Sequence, residues 1–233
     1  MLTAGEIKQV RSLREKKFRD QYGLFVVEGE KMVSEALLSN FEVVAVYRED
    51  EVGTAAMAKM SQLSTPPPVL AVVSKPQPKG FCLERGLCLA LDAVRDPGNL
   101  GTILRLSDWF GVDTVFASPD TVELYNPKVV QSSMGSIFRV KMVTADIADL
   151  CKRFRAKSMP VYGTFIDGVD IYEQNLDNEG LVIMGNESLG ISPAVAAQVS
   201  TRLTIPKWPS SGAESLNVAT ATAVTLSEFR RRR

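Results

Sequence analysis

The residues that could carry chemistry stand in three polar stretches, each beside an apolar run. The first is Asp96-Pro97-Gly98-Asn99-Leu100-Gly101-Thr102-Ile103-Leu104-Arg105 and the second is Gly185-Asn186-Glu187-Ser188-Leu189-Gly190. The third is Ile205-Pro206, followed after Lys207 to Glu214 by Ser215-Leu216-Asn217. Amides, a carboxylate, a hydroxyl and a guanidinium can orient a hydroxyl or a phosphate and hold its proton. Arg105 offers a planar fork of donors that suits a phosphate, and Gly101 leaves backbone accessible beside it. No histidine occurs in the chain. Imidazole is thereby excluded as base, metal ligand or triad member, and any chemistry runs on Arg, Lys, Asp, Glu, Ser, Asn or a cofactor. Each stretch also has a plainer reading. Asn99 can be only a helix cap and Arg105 a surface charge. Glu187 can be the capping residue of an ordinary turn. Ser215 and Asn217 cap a helix well, and could equally form an anion or hydroxyl site.

Strands and helices have to place these stretches. Leu87 to Val94 reads as a strand buried on both faces, ended by a tight turn at Asp96-Pro97-Gly98-Asn99. The helix after it turns Ile103, Leu104, Leu106 and Phe110 to a core. Asn99 and Arg105 then stand at the carboxyl edge of a sheet, where open α/β folds bind ligands. Leu181 to Met184 is a second such strand, and Val112 to Ala117, Phe138 to Val143 and Val161 to Phe165 are further extended segments. Asn126 to Met134 and Asp146 to Lys157 are helices between them. This alternation predicts a largely parallel sheet covered on both faces. The last helix, from Leu216, is rich in Ala and Thr, so another element can approach it closely, inside the fold or at a dimer interface.

The first 79 residues read as a small α/β module. Ile7, Val10 and Leu13 recur at helical spacing, and Phe25 to Val27, Phe41 to Val46 and Val69 to Val73 read as strands. Helices carrying Met32, Val33, Ala36 and Leu37, and then Ala55 to Leu63, lie between the strands. Five of the 12 prolines fall between Pro66 and Pro78, and Lys75 to Gly80 is the expected linker, giving domains 1–79 and 80–233. The 27 basic and 27 acidic residues balance, but Lys8, Arg11, Arg14, Lys16, Lys17 and Arg19 face only Glu15, and the chain closes on Arg230 to Arg233. Such clusters attract phosphate backbones, or are a solvated helix face and a frayed tail. Cys82, Cys88 and Cys151 lack metal-ligand or disulfide spacing and are expected to be buried, reduced thiols. With 45% hydrophobic residues the chain can bury a real core. The absence of a long apolar run or signal sequence leads to the expectation of a cytoplasmic protein with no membrane partner.

Taken in order, N-L-G-T-I-L-R, M-G-N-E-S-L-G-I-S and I-P with S-L-N-V-A-T-A resemble the three motifs of the TrmH (SpoU) family of RNA 2′-O-ribose methyltransferases, of the SPOUT class. F-V-V-E-G-E-K before an amphipathic helix is similar to that family's RNA-substrate-binding domain, itself similar to ribosomal protein L30e. The resemblance spans nearly the whole chain. It implies a mostly parallel sheet with a deep trefoil knot, S-adenosylmethionine as cofactor without a metal, an RNA partner (ribosomal rather than transfer RNA) and a homodimer. By position, Asn99, Arg105, Glu187, Ser215 and Asn217 match catalytic or substrate-orienting residues. Thr164, Gly185, Ile205 and Leu216 match cofactor positions. Arg11, Arg14 and Lys16 would hold RNA farther from the chemistry.

The resemblance also implies roles. Arg105 would hold a phosphate and polarise the hydroxyl, with deprotonation by Arg105 itself left open, and Asn99 and Glu187 would fix Arg105 and the loop. Ser215 and Asn217 would orient phosphate or backbone. Orientation alone can supply about 7 to 11 kcal/mol of such a barrier. Two departures from the family pattern stand out: Lys207-Trp208-Pro209 where Met usually follows the Pro, and Ala219 where Ser is common. Two other readings compete. One is a non-catalytic RNA-binding or ribosome-assembly protein on the same fold. The other is a nucleotide-dependent oxidoreductase, discounted because the strand ends in D-P-G-N-L-G-T and not G-x-G-x-x-G.

Overall fold

The computed structural model describes residues 2–77 and 86–231. The end of the expected linker, Pro78 to Gly80, lies outside the described residues, as do Cys82, Arg232 and Arg233. Two compact units result: the described residues of Met1–Lys79 with Glu123–Arg139, and those of Gly80–Val122 with Val140–Arg233. Glu123–Arg139, which a single boundary near residue 79 counts with the second domain, thus packs with the first.

The first unit opens with α1 (Ala4–Ser12), started by a reciprocal cap. The Glu6 N–H donates to Thr3 Oγ1 at 3.2 Å, and the Glu6 carboxylate accepts from the Thr3 N–H at 2.7 Å. Then follow α2 (Lys16–Tyr22), β1 (Leu24–Glu28), α3 (Glu30–Leu38), β2 (Val43–Arg48), α4 (Glu49–Val52), α5 (Thr54–Met60) and β3 (Val69–Ser74). The strands pair antiparallel in the order β1-β3-β2. Because side chains alternate along a strand, central β3 feeds two cores. Leu70 and Val72 join Val10, Leu13, Met57 and Met60; Val69, Ala71 and Val73 join Phe25, Met32, Val33 and Ala36.

The second unit begins with β4 (Leu87–Leu91), α6 (Pro97–Trp109) and β5 (Thr114–Ala117). The chain next supplies α7 (Pro127–Ser132) to the first unit, where Val130 and Ile137 enter the core beside Phe25. It returns for β6 (Met142–Thr144), α8 (Ile147–Ala156), β7 (Val161–Asp170), β8 (Gly180–Met184), α9 (Pro193–Ala196), β9 (Thr201–Thr204) and α10 (Val218–Arg231). These six strands form one parallel sheet in the order β6-β5-β4-β8-β7-β9. α10 lies on α6 and buries Ala219, Thr222, Thr225 and Phe229, so these residues of the last helix serve packing inside the unit, while Ala221 and Ala223 are half-buried.

Several boundaries differ from the sequence expectation. β4 ends at Leu91, three residues before Val94, because Ala93 takes φ 59° and turns the chain off the sheet. Both backbone groups of Ala93 are held there: its N–H donates to Ser118 Oγ at 2.8 Å and its carbonyl accepts from Asn186 Nδ2 at 2.7 Å. Asp96-Pro97-Gly98-Asn99 is the first turn of α6 and not a separate turn. Asp96 is the cap, its carboxylate accepting from the Asn99 N–H at 2.8 Å. The extended segment from Phe138 shrinks to Met142–Thr144, since Ser136–Phe138 forms a 3-10 turn. α10 starts at Val218, one residue past Asn217.

Candidate active site

Glu187, Asn99 and Asn217 come from the loop after β8, the first turn of α6 and the residue before α10, and they meet. Asn217 Nδ2 donates to Asn99 Oδ1 at 2.9 Å, and Asn99 Nδ2 donates to Glu187 Oε1 at 3.0 Å. The ends of this chain are anchored in backbone. Asn217 Oδ1 accepts from the N–H groups of Ala219 at 2.9 Å and Thr220 at 3.2 Å, capping α10. The Glu187 carboxylate accepts from the N–H groups of Asp96 at 3.1 Å and Arg95 at 3.3 Å, just ahead of α6. Partial burial pushes the Glu187 carboxyl up. The Asn99 amide and the N–H groups of Glu187 itself, Asp96 and Arg95 outweigh that and hold it below the usual carboxylate range. It is therefore an ionised acceptor near neutrality.

The loop after β8 is shaped by Asn186. Its Oδ1 accepts from the N–H groups of Ser188 and Leu189, each at 3.0 Å, and its backbone exchanges two hydrogen bonds with Gly190, at 2.9 and 3.0 Å. The sequence reading directs the Asn186 amide at a ligand; the structure corrects this, since its side chain bonds the backbone of Ala93, Ser188 and Leu189. The signal was there: an Asn two residues before Ser, between two glycines, favours this side-chain-to-backbone turn. Gly185 is required because a Cβ there would lie 2.3 Å from the Gly190 carbonyl carbon and 2.4 Å from the Ile191 nitrogen.

The remaining expected residues fall differently. Arg105 lies on α6 within the same unit, exposed, and no hydrogen bond joins it to Asn99 or Glu187 among the described residues. The expectation that these two fix the guanidinium is corrected: their side chains are spent on each other, on Asn217 and on backbone. Ser215 is exposed two residues before Asn217. Thr164, in β7, donates its hydroxyl to the Ile183 carbonyl of β8 at 3.1 Å. Ile205 is half-buried, and Leu216 is 50% exposed although apolar.

In the first unit, Arg11, Arg14 and Lys16 are exposed. One Arg14 N–H donates to the Ser61 carbonyl at 3.0 Å, and Lys16 pairs with Asp20 at 2.6 Å. Arg19 is not surface charge. It is 2% exposed, pairs with Glu123 at 2.5 Å, and donates to the Leu13 and Arg14 carbonyls at 2.8 Å. Arg230, counted with the basic tail, donates to the Phe110 carbonyl at 2.8 Å and the Gly111 carbonyl at 2.6 Å, where a cation complements the carboxyl end of α6.

A parallel α/β sheet whose strand-end loops converge on one amide–carboxylate chain defines a ligand-binding protein of the open α/β class. Comparison with known proteins narrows the class. The SpoU rRNA methylase family matches residues 86–227, and the MRM3-like substrate binding domain matches residues 5–55. RlmP of Bacillus subtilis, a 23S rRNA (guanosine(2553)-2′-O)-methyltransferase, is 30% identical over 97% of this chain and 96% of its own. A TrmH-family protein from Porphyromonas gingivalis superposes with TM-score 0.90 at 39% identity, covering 100% of both chains. The AdoMet-bound rRNA methyltransferase from Sinorhizobium meliloti does so with TM-score 0.86 at 28% identity, covering 99% of this chain and 96% of its own. The chain belongs to the SpoU rRNA methylase family.

Proposed function

We propose that the protein transfers the methyl group of S-adenosylmethionine to a ribose 2′-hydroxyl of ribosomal RNA. The observation that carries this reading is the Asn217–Asn99–Glu187 chain, which joins all three polar stretches at the carboxyl edge of the sheet. The residues present fit the cofactor. Half-exposed Leu216 and half-buried Ile205 offer the apolar contact an adenine ring needs, and the hydrogen-bonded loop from Gly185 keeps backbone groups close by. Thr164, Gly185, Ile205 and Leu216 would hold it. Bound there, the cofactor supplies an electrophilic methyl group on a sulfonium.

What the chain contributes is placement. Arg105 is permanently charged and exposed, so it is suited to hold the phosphate next to the reacting ribose and to polarise the hydroxyl. Asn99, Glu187 and Asn217 are positioning residues that lock the loop after β8, the start of α6 and the start of α10 in one arrangement. Ser215, next to that lock, would orient phosphate. Arg11, Arg14 and Lys16 would hold RNA at a distance from the chemistry. Ribosomal over transfer RNA is supported by the match to the SpoU rRNA methylase family and by the substrate named for RlmP. Belonging to the SpoU family supports a trefoil knot in the second unit and a homodimer. Exposed Ile166, Leu189 and Trp208 are apolar side chains a second copy could cover. Cys88 and Cys151, buried and free among the described residues, support a reducing, cytoplasmic location.

The test uses labelled S-adenosylmethionine with separate pools of unmodified ribosomal and transfer RNA, followed by mapping of the methylated ribose. We expect incorporation into ribosomal RNA, and an Arg105→Ala protein that binds the cofactor normally but does not turn over. No incorporation into either pool, or near-normal turnover by Arg105→Ala, refutes the assignment.

A further inference from the structure

The first unit contains a cavity that plays no part in the chemistry described above. It is open to solvent on one side and offers about 150 Å³, and its lining includes Val26, Glu28, Met32, Gln62, Val130 and Lys128. Val26, Met32 and Val130 form an apolar wall, each at most 6% exposed. Against this wall stands a polar edge. The Glu28 carboxylate is held in place by the Ser61 hydroxyl at 2.5 Å and the Gln62 N–H at 2.8 Å, and each oxygen retains a further lone pair. The Gln62 side-chain nitrogen is buried and has no hydrogen-bond partner among the described residues. An unmet amide donor in an apolar interior is unfavourable, so a carbonyl acceptor entering the cavity would be favoured there.

Size and charge narrow the ligand. A cavity of about 150 Å³ accommodates one six-membered aromatic ring, as engineered cavities that take up benzene show. Basic groups stand near the Glu28 carboxylate. Lys128 is among the lining residues, and Arg14 bonds the carbonyl of Ser61, the residue just before Gln62. A flat ring with carbonyl and N–H groups on its edge, carried on a phosphate backbone, is a pyrimidine nucleotide. Proteins read RNA sequence mainly on unpaired, splayed-out bases.

We propose that this cavity receives an unpaired pyrimidine base of the RNA substrate, with the ring edge on the Gln62 amide and the Glu28 carboxylate and the backbone near Arg14 and Lys128. The proposal rests on RNA being the substrate. It adds a base-specific contact within the first unit, on residues that none of the three motifs contains.

The test is equilibrium binding of fluorescent hexanucleotides to the full chain: oligouridylate, oligocytidylate, oligoadenylate and an abasic ribose-phosphate hexamer. Two variants accompany the wild type. Gln62→Leu removes the amide at similar size, and Val130→Phe fills the cavity; both are checked by thermal unfolding. We expect the wild type to bind a pyrimidine hexamer about tenfold more tightly than oligoadenylate and the abasic hexamer, the discrimination of a good paired base contact. Both variants should lose that preference while binding the abasic hexamer and S-adenosylmethionine as before. A wild type without pyrimidine preference, or a Gln62→Leu protein that keeps it, overturns the proposal; should Val130→Phe not fold, Gln62→Leu decides. Pyrimidine preference in a protein that methylates no RNA would retain the pocket and remove the ribose-methylation reading. Methylation of ribosomal RNA without the preference would do the reverse.

Discussion

Asn99 is the middle link between Asn217 and Glu187, so it is where the chain can be cut with a calculable result. Asn99→Ala removes one neutral hydrogen bond, from Asn217 at 2.9 Å, and one charge-assisted bond, to Glu187 at 3.0 Å. At an exposed site these are worth about 1 kcal/mol and about 1.5 kcal/mol respectively. If about 2 kcal/mol of this is realised in holding the loops for transfer, kcat/KM falls about thirtyfold, with little change in unfolding temperature. Asn99→Asp is the sharper test. The new carboxylate keeps the bond from Asn217 but turns its second oxygen on Glu187, which is ionised because its neighbours hold its pKa down. Two such charges about 3 Å apart repel by several kcal/mol even in a well-screened site, so at pH 8 this variant should be worse than Asn99→Ala. Two carboxyl groups that close share a proton, and the affinity of the pair for it is raised. The sign follows: the repulsion is present above the raised pKa and relieved below it, where an O–H···O bond restores the link. The activity ratio of Asn99→Asp to wild type should therefore climb as pH falls from 8 to 5.5, while the Asn99→Ala ratio stays flat. Initial methyl-transfer rates across that range decide it. A flat or falling ratio for Asn99→Asp, or Asn99→Ala within twofold of wild type, would refute the reasoning.

Two further outcomes are expected. Gly185→Ala places a Cβ 2.3 Å from the Gly190 carbonyl carbon, which forces the loop open and breaks the paired Asn186–Gly190 bonds; at about 1 kcal/mol each, S-adenosylmethionine affinity by calorimetry should fall tenfold or more. Glu123→Ala leaves Arg19, whose side chain is 3% exposed, as a buried cation with only carbonyl partners. Breaking such a pair costs about 3 kcal/mol or more, so the unfolding midpoint should drop by about ten degrees or more, whereas loss of a surface pair would shift it hardly at all.

The second unit was largely legible because parallel strands covered on both faces must be apolar at every position, and Leu87 to Leu91 and Leu181 to Met184 are. Its polar stretches were legible as groups, since each breaks such a run. What spacing could not give was the partner of each side chain. Asn99 reads equally well as a cap, as a support for Arg105 or as a link to another loop. The choice is made by Asp96, which takes the cap, and by Asn217, which is 118 residues away in the chain. The end of β4 was misplaced for a similar reason. Ala93 at φ 59° is unfavourable for a residue with a Cβ, and is held by Ser118 and Asn186, neither of which is its neighbour in sequence.

The first unit shows a different limit. Its sequence pattern predicts helices and strands up to Val73, and these form, with the Phe41–Val46 strand shifted to Val43–Arg48, but the core they build is completed by Val130 and Ile137. Tyr125 packs against Phe25 with ring centroids 4.6 Å apart and the rings tilted by 38°. Glu123 supplies the counter-charge to buried Arg19. A proline-rich linker marks where the chain crosses between units once, and a second excursion between β5 and β6 leaves no such mark, because its helix and turn look like any other crossover. Composition therefore places Arg19 in a basic stripe suited to RNA, while packing makes it a structural cation. The residues left for RNA are those whose charge no acid buries, which is why Arg14, exposed and anchored to the carbonyl beside Gln62, is a better candidate than the count of basic residues alone would select.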